Sequence, residues 1–251
     1  MDPALPLGTA VRRRPLVRRL AHVLSYLLIA AGLLGLAWAL LVWRWQDPIT
    51  ALYTHFQQER LASSYEHRVR AYTPPKAVPH VRRPDPAAAA RVMAVDAAAW
   101  RRSLHTGGAV GRLKIGRIGL SMIVVQGTDH DSLKRGPGHY VGSGLPGAGH
   151  LIYIAGHRTT YLAPFSAIDR IRAGDYVTFS VPYGTFSYRV FRHYVVPATD
   201  LGALRDHGQE ILRLQACHPR FFATHRYLVD ARLVAFQPRG TTTWLRAPAA
   251  S

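Results

Sequence analysis

Cysteine is almost missing from this chain: Cys217 is the only one in 251 residues. A single thiol forms no internal disulfide, and it excludes a CxxC redox pair and a cysteine-rich zinc centre. Acidic residues are also scarce, with 14 Asp and Glu against 32 Lys and Arg, for a formal charge of +18. Lysine is confined to Lys76, Lys114 and Lys134, so arginine carries almost all of the positive charge. Calcium needs several converging oxygens. Only Asp129 and Asp131 stand close together, in a TDHD stretch that reads as a turn. The 13 histidines show no HxxxH spacing, so no metal site is expected. Hydrophobic residues, by contrast, make up 48% of the chain. That excludes a disordered polypeptide and favours one globular domain with accessory segments.

The longest apolar run, AHVLSYLLIAAGLLGLAWALLVW over 21–43, carries no formal charge unless His22 is protonated. At ~1.5 Å per residue it spans a hydrocarbon layer of ~30 Å. Arg12, Arg13, Arg14, Arg18 and Arg19 precede it, and Trp38, Trp43 and Trp45 gather at its far end. The positive-inside rule predicts a cytoplasmic basic segment at 1–20, a transmembrane helix at 21–43, and everything after Arg44 outside the cell. A cleaved signal peptide is the competing reading, since Ala37-Trp38-Ala39 fits a cleavage site, but signal peptides carry shorter apolar stretches of ~7–15 residues. A buried soluble helix would need a polar face, and none is present. An exported domain seldom meets nucleic acid. Anionic wall polymers or lipid headgroups are the expected counterions, and many of the arginines are ordinary solvated residues.

Residues 44–106 read as a juxtamembrane helix and a Pro/Ala-rich linker. The helix runs from Asp47 to about Ala71, with Asp47 as N-cap and Pro48 at the first helical position. The segment 72–92, rich in Pro and Ala, reads as an extended spacer. From 107 to 236 short apolar runs alternate with Gly, Pro and Asp. Strands are predicted at 112–120, 121–127, 150–157, 210–217 and 226–236, with a hairpin over 176–196 that turns at Pro182-Tyr183-Gly184. One short helix is expected at 163–173. The pattern is mainly β, a barrel or sandwich. The tail 237–251 reads as disordered.

Three residues at strand ends carry the chemistry. His157 closes HLIYIAGH, Cys217 closes EILRLQAC, and Arg226 opens RYLVDARLVAF. A lone exported cysteine is a buried small hydrophobe, an intermolecular disulfide site or a nucleophile. Because His218-Pro219 breaks the strand just after Cys217, its sulfur falls at a strand rim that a substrate can reach. Nucleophilic sulfur chemistry requires a thiolate, a proton donor for the leaving group and a donor for the developing oxyanion. Cys217, His157 and Arg226 are the residue types that supply these. His218 and His225 are nearer to Cys217 in sequence, but successive strand residues face opposite ways, and both read as surface polar residues. The Gly-rich stretch 136–150 lacks a phosphate loop's Lys-Ser/Thr ending and reads as loops. Tyr140, Tyr161 and Phe165 read as core or rim aromatics, or as groove lining.

Four segments, VVQGTDHDSLKRGPGHY, GLPGAGHLIYIAGHRTTYLAPF, IDRIRAGDYVTFS and LQACHPRFFATHRYLVDARLV, resemble the sortases of Gram-positive bacteria, in particular class E. The similarity covers about 107–236, and its most specific part is a GHRTT segment followed by ACHP and then an arginine. The resemblance implies a sortase-type β-barrel. It also implies a membrane-anchored cysteine transpeptidase with Cys217 as nucleophile, His157 as general acid/base and Arg226 stabilising the oxyanion or substrate. The implied reaction cleaves a sorting signal of the LPxTG or LAxTG kind between Thr and Gly. The protein on the amino side of the cut, held by its Thr carbonyl as a thioester, is then transferred to a cell-wall precursor amine such as a lipid II-like one. The implied partners are sorting-signal-bearing secreted proteins, that amine and the membrane, with no cofactor and no nucleic acid. Ala216 departs from the pattern, since it stands where sortases usually carry a threonine beside the thiol. A hydrolytic cysteine protease and a catalytically weak sortase-fold scaffold protein remain as alternative functions.

Overall fold

The computed structural model describes residues 14–44, 48–75 and 85–248. Two compact units divide the chain at 45/46, and each is described by itself. The first is a single helix, α1 (Arg14–Arg44). Within it Val17–Leu40 is long and apolar enough to cross a membrane. Of the five arginines expected to set the orientation, Arg14, Arg18 and Arg19 begin this helix, whereas Arg12 and Arg13 lie outside the described residues. So do Trp45 and the expected N-cap, Asp47.

The second unit opens with α2 (Pro48–Ala71). Its inward stripe is unusual because polar and apolar residues share it. Thr50, Thr54 and Gln58 recur at one-turn spacing, and Leu61, Tyr65 and Arg68 continue the same face. Thr54 is wholly buried and donates to the Lys134 carbonyl at 2.8 Å. The Gln58 amide donates to the carbonyls of Ile123 and Arg135 and accepts from Ile123 N–H, and the Tyr65 hydroxyl donates to Ser180 O at 2.9 Å. The helix therefore lies along the barrel wall.

The expected spacer at 72–92 requires a correction. Residues 76–84 lie outside the described residues, but α3 occupies Pro86–Arg102. Asp85 caps it, accepting from Ala87 and Ala88 N–H with Pro86 at the first helical position. Ala89, Met93, Ala97 and Trp100 form its buried stripe and belong to the main core. Small alanines hid the periodicity, because a stripe made mostly of methyl groups resembles a spacer composition. The Trp100 indole donates to Val110 O at 3.0 Å, and the Arg68 guanidinium lies 4.1 Å over its ring.

The strands are β1 (Ala109–Ile115), β2 (Leu120–Gln126), β3 (Gly138–His139), β4 (Ile152–Gly156), β5 (Tyr176–Val181), β6 (Gly184–Pro197), β7 (Ile211–His218), β8 (His225–Pro238) and β9 (Leu245–Arg246). Their order is β6-β5-β1-β2-β3-β4-β7-β8-β9, and an additional β6–β8 ladder closes the first eight into a barrel. That closure removes the open edges a flat sheet would expose. The barrel is filled by alternating inward residues, among them Leu113, Val124, Ile154, Phe179, Phe186, Leu214 and Val229. The mainly β expectation holds.

Two local expectations do not. The helix expected at 163–173 reduces to a 3-10 turn at Ile168–Arg170. Tyr161, Leu162 and Ala163 just before it are left-handed, and that backbone cannot enter a helix. The tail is ordered in part: β9 pairs with β8 through Phe236 and Leu245, and Leu245 is buried. A two-residue strand is too short to show any period in sequence. Residues 249–251 lie outside the described residues.

Candidate active site

Three neighbouring strands bring the sequence-predicted residues to one level. β4 and β7 run parallel, and their last paired residues are Gly156 and Ala216. His157 and Cys217 are each the next residue along. β7 and β8 run antiparallel, with Cys217 opposite Arg226. Neighbouring strands are ~4.8 Å apart, and residues level across a sheet face the same side. His157, Cys217 and Arg226 thus form a row across β4, β7 and β8, although they are far apart in sequence.

Alternation also places Ala216. It is wholly buried and packs in the main core, whereas Cys217 is half-buried and faces the other way. The missing hydroxyl therefore belongs to the barrel interior, not to the side of the sheet that carries the sulfur.

His157 sits where β4 turns into a tight loop. Its carbonyl accepts from Phe165 N–H at 3.1 Å. Phe165 comes so close to the preceding residue that a Cβ on Gly156 would lie 2.6 Å from its ring, which is why this position takes glycine. The Tyr161 ring covers the imidazole, with centroids 5.1 Å apart and planes inclined at 40°. Among the described residues Nε2 of His157 is buried without a hydrogen-bond partner. Burial, and secondarily the nearby His130, lower the imidazole pKa, so the ring is held neutral near neutral pH. A neutral ring with an uncommitted nitrogen can accept a proton and return it.

Arg226 is oriented by the loop between β7 and β8. Its Nη1 donates to Ala223 O at 2.7 Å and to His225 O at 3.0 Å. That loop contains a cis His218-Pro219 bond and left-handed Phe221 and Ala223, and both Phe221 and Phe222 are exposed. The described partners of Arg226 are backbone carbonyls. Its charge is therefore oriented without being neutralised by an acid.

Arg158 went unnoticed in the sequence. It is buried beside His157, and its Nη1 donates to His218 Nδ1 at 3.0 Å and reaches Cys217 O at 3.4 Å. Its Nη2 pairs with Asp169 at 3.0 Å. A guanidinium only donates, so His218 Nδ1 is the acceptor and carries no proton. His218 is thus half-buried and engaged, contrary to its reading as a surface residue, because the strand breaks there and turns it onto Arg158. His225 is exposed, as expected, against Thr224 Oγ1 at 3.0 Å. The one available signal for Arg158 was its place next to His157; its partners are distant in sequence.

The acid pair in TDHD is structural. Asp129 caps the short helix α4 (His130–Leu133) and accepts from Ser132 N–H and its hydroxyl, while Asp131 pairs with Lys134 at 2.9 Å. Among the described residues no group of three or more His, Cys, Asp or Glu could hold a metal ion. A cavity of about 1170 Å³ lined by Phe186, Phe191, Arg192 and Arg232 also includes Ile211, at the opposite end of β7 from Cys217. It does not touch the row.

Residues 113–234 match the Sortase domain family, a span that contains the whole row. The chain belongs to the sortase family. It is 32% identical over 134 residues to sortase D of Bacillus subtilis (strain 168), a stretch covering 52% of this chain and 66% of that protein. The sortase barrel also aligns with solved structures. A Clostridium perfringens sortase D5 transpeptidase superposes with a TM-score of 0.56 at 18% identity, covering 71% of this chain and 98% of the other. Sortase E1 from Streptomyces coelicolor, solved with a tripeptide in the active site, superposes with a TM-score of 0.51 at 22% identity over 56% of this chain and 96% of the other. At these identities the two structures share the sortase fold with this chain. The similarity spans relatives called D and E, so the class E expectation is not resolved beyond the family.

Proposed function

We propose that the chain is a membrane-anchored cysteine transpeptidase that cleaves a C-terminal sorting signal of the LPxTG or LAxTG kind between Thr and Gly. It passes the acyl group through a thioester on Cys217 to a cell-wall precursor amine, as in a lipid II-like acceptor. The observation that carries this reading is the row of His157, Cys217 and Arg226 across three adjacent strands.

The chemistry follows from the residue types. His157, neutral at rest, takes the Cys217 proton, and the thiolate attacks the Thr carbonyl carbon. The carbonyl electrons move to oxygen, and the guanidinium of Arg226 donates to the resulting oxyanion. As the C–N bond breaks, the imidazolium of His157 protonates the leaving Gly amine, because an amide nitrogen leaves only as the neutral amine. An incoming amine then attacks the thioester, gives its proton to His157 and expels the thiolate. The apolar Val17–Leu40 stretch, whose formal charges, Arg18 and Arg19, stand at its N-terminal end, supports anchoring, with the basic N-terminal side in the cytoplasm and the barrel outside.

The test is a fluorogenic sorting peptide incubated with and without triglycine. A ligated peptide that requires Cys217 supports transpeptidation. Release of the free acid alone would make the chain a hydrolytic protease, and failure of a thiol-reactive sorting-peptide analogue to label Cys217 would make it a sortase-fold scaffold. Cys217→Ala should abolish acyl-enzyme formation while the fold survives, at a cost of about 1 kcal/mol for the small cavity.

A further inference from the structure

We propose that Thr50, on α2, is a positioning residue for His157, acting through Tyr161. The inference rests on the role given to His157 above.

Tyr161, Leu162 and Ala163 adopt φ values of 53, 59 and 37° in succession. Three consecutive left-handed residues, none of them glycine, are held only where surrounding contacts impose the conformation. Two contacts are local, Ala163 N–H donating to Thr160 O and Ser166 N–H donating to Ala163 O, both at 2.8 Å. A third comes from a residue 111 positions away: Tyr161 N–H donates to Thr50 Oγ1 at 3.0 Å. Thr50 is itself fixed, because Thr54 and Gln58, one and two turns further along the same helix face, are hydrogen-bonded to the backbone of Ile123, Lys134 and Arg135. The helix is therefore a rigid strut that ends on the turn.

The anchored turn carries the ring that covers the catalytic imidazole. Among the described residues His157 Nε2 has no hydrogen-bond partner, so a share of the ring's orientation that a hydrogen-bond acceptor would ordinarily fix falls to packing against Tyr161. Loss of the Thr50 acceptor leaves the Tyr161 N–H unpaired and frees the turn. The imidazole then gains water and rotational freedom. The charged and titratable groups around it are His130 on α4 and Lys134 just after it, Tyr161 on its own loop, Cys217 on β7 and Arg226 on β8. Tyr161 rides on the freed turn and is uncharged near neutral pH; the others, with Arg158 next in the chain, lie off it, so the change at His157 is one of hydration and points upward, toward the ordinary histidine value.

The experiment uses the full chain in lipid nanodiscs with 13C-labelled histidine, the His157 signal being assigned by its loss in His157→Gln. In Thr50→Val, which keeps the shape and removes the acceptor, the titration midpoint of His157 should rise by about half a pH unit or more. On a sorting peptide kcat should fall about fivefold or more with KM held within about twofold, and Thr50→Ser, which restores the oxygen, should recover both. If Thr50→Val fails to fold, Tyr161→Ala removes the covering ring, leaves the main-chain bond in place and should raise the same midpoint. A His157 titration unchanged in these variants, or a Thr50→Ser as impaired as Thr50→Val, overturns the proposal. The titration is read without turnover. A wild-type chain inactive on sorting peptides therefore counts against the proposed function, while the Thr50–His157 linkage is still decided.

Discussion

Arg158 and Cys217 are 59 positions apart and meet through a 3.4 Å hydrogen bond from a guanidinium to the carbonyl of the thiol-bearing residue. The same guanidinium holds His218 and Asp169. It therefore fixes the end of β7 from one side while β8 fixes it from the other. Replacing it with Met, of similar length and without donors, should shift the thiol by a fraction of an ångström. On a sorting peptide kcat should fall about tenfold to a hundredfold with little change in KM. Steady-state kinetics on the purified variant checks this, and a wild-type kcat would show that the bond is incidental to catalysis.

The proposed roles of His157 and Arg226 can be separated because they act on different atoms. His157→Ala should lose most activity on a peptide and regain part of it on an activated ester, whose leaving group needs no proton. Arg226→Lys keeps the charge but loses the planar set of donors, so it should be impaired equally on both substrates. Rescue of the Arg226 variant by the ester, and not of the His157 variant, would show the assignments to be interchanged.

His139 makes a stability prediction independent of catalysis. It is buried, with Nε2 2.7 Å from Gly144 O and Nδ1 2.9 Å from the Gln126 amide, and burial lowers its pKa from 6.5 to about 4. The unfolded chain binds this proton at higher pH than the native one does. The stabilisation is thus complete above pH 6.5 and lost as pH falls to about 4. The loss is about 3 kcal/mol over that window. Denaturant unfolding between pH 4 and 7 should show the slope in the wild type and a shallower one in His139→Gln, which retains hydrogen-bonding capacity without titrating.

Trp100 ties α3 to the barrel through its indole N–H to Val110 and its place in the main core. Trp100→Ala should destabilise the fold by about 3–5 kcal/mol. The removal of the cap in Asp85→Ala should cost about 1 kcal/mol. Urea unfolding monitored by circular dichroism measures both. A loss at Trp100 no larger than that at Asp85 would mean that α3 is not integral to the fold.

The strands that build the site were legible because alternating or continuous apolar runs end in Gly or Pro: β4, β5, β7 and β8 all begin and end within two residues of their predicted bounds. His157, Cys217 and Arg226 were legible for the same reason, since each stands at a strand end. Arg158 was not, because its function lies in partners that only the β4–β7 pairing brings near. The docking of α2, read from sequence only as a juxtamembrane helix, was hidden by Thr50, Thr54 and Gln58, polar residues on the face turned to the barrel. Their hydrogen bonds to backbone carbonyls and N–H groups make that burial tolerable, and sequence periodicity does not register such bonds.

The packing of α2 and α3 bears on how a soluble enzyme is prepared. A cut at residue 107, where the strands begin to be visible in sequence, would discard Trp100, Tyr65 and Thr54 and expose the apolar wall they cover. Such a fragment should be prone to aggregate even with every strand and all three row residues intact. A cut just ahead of Pro48 removes the apolar span and keeps both helices on the barrel.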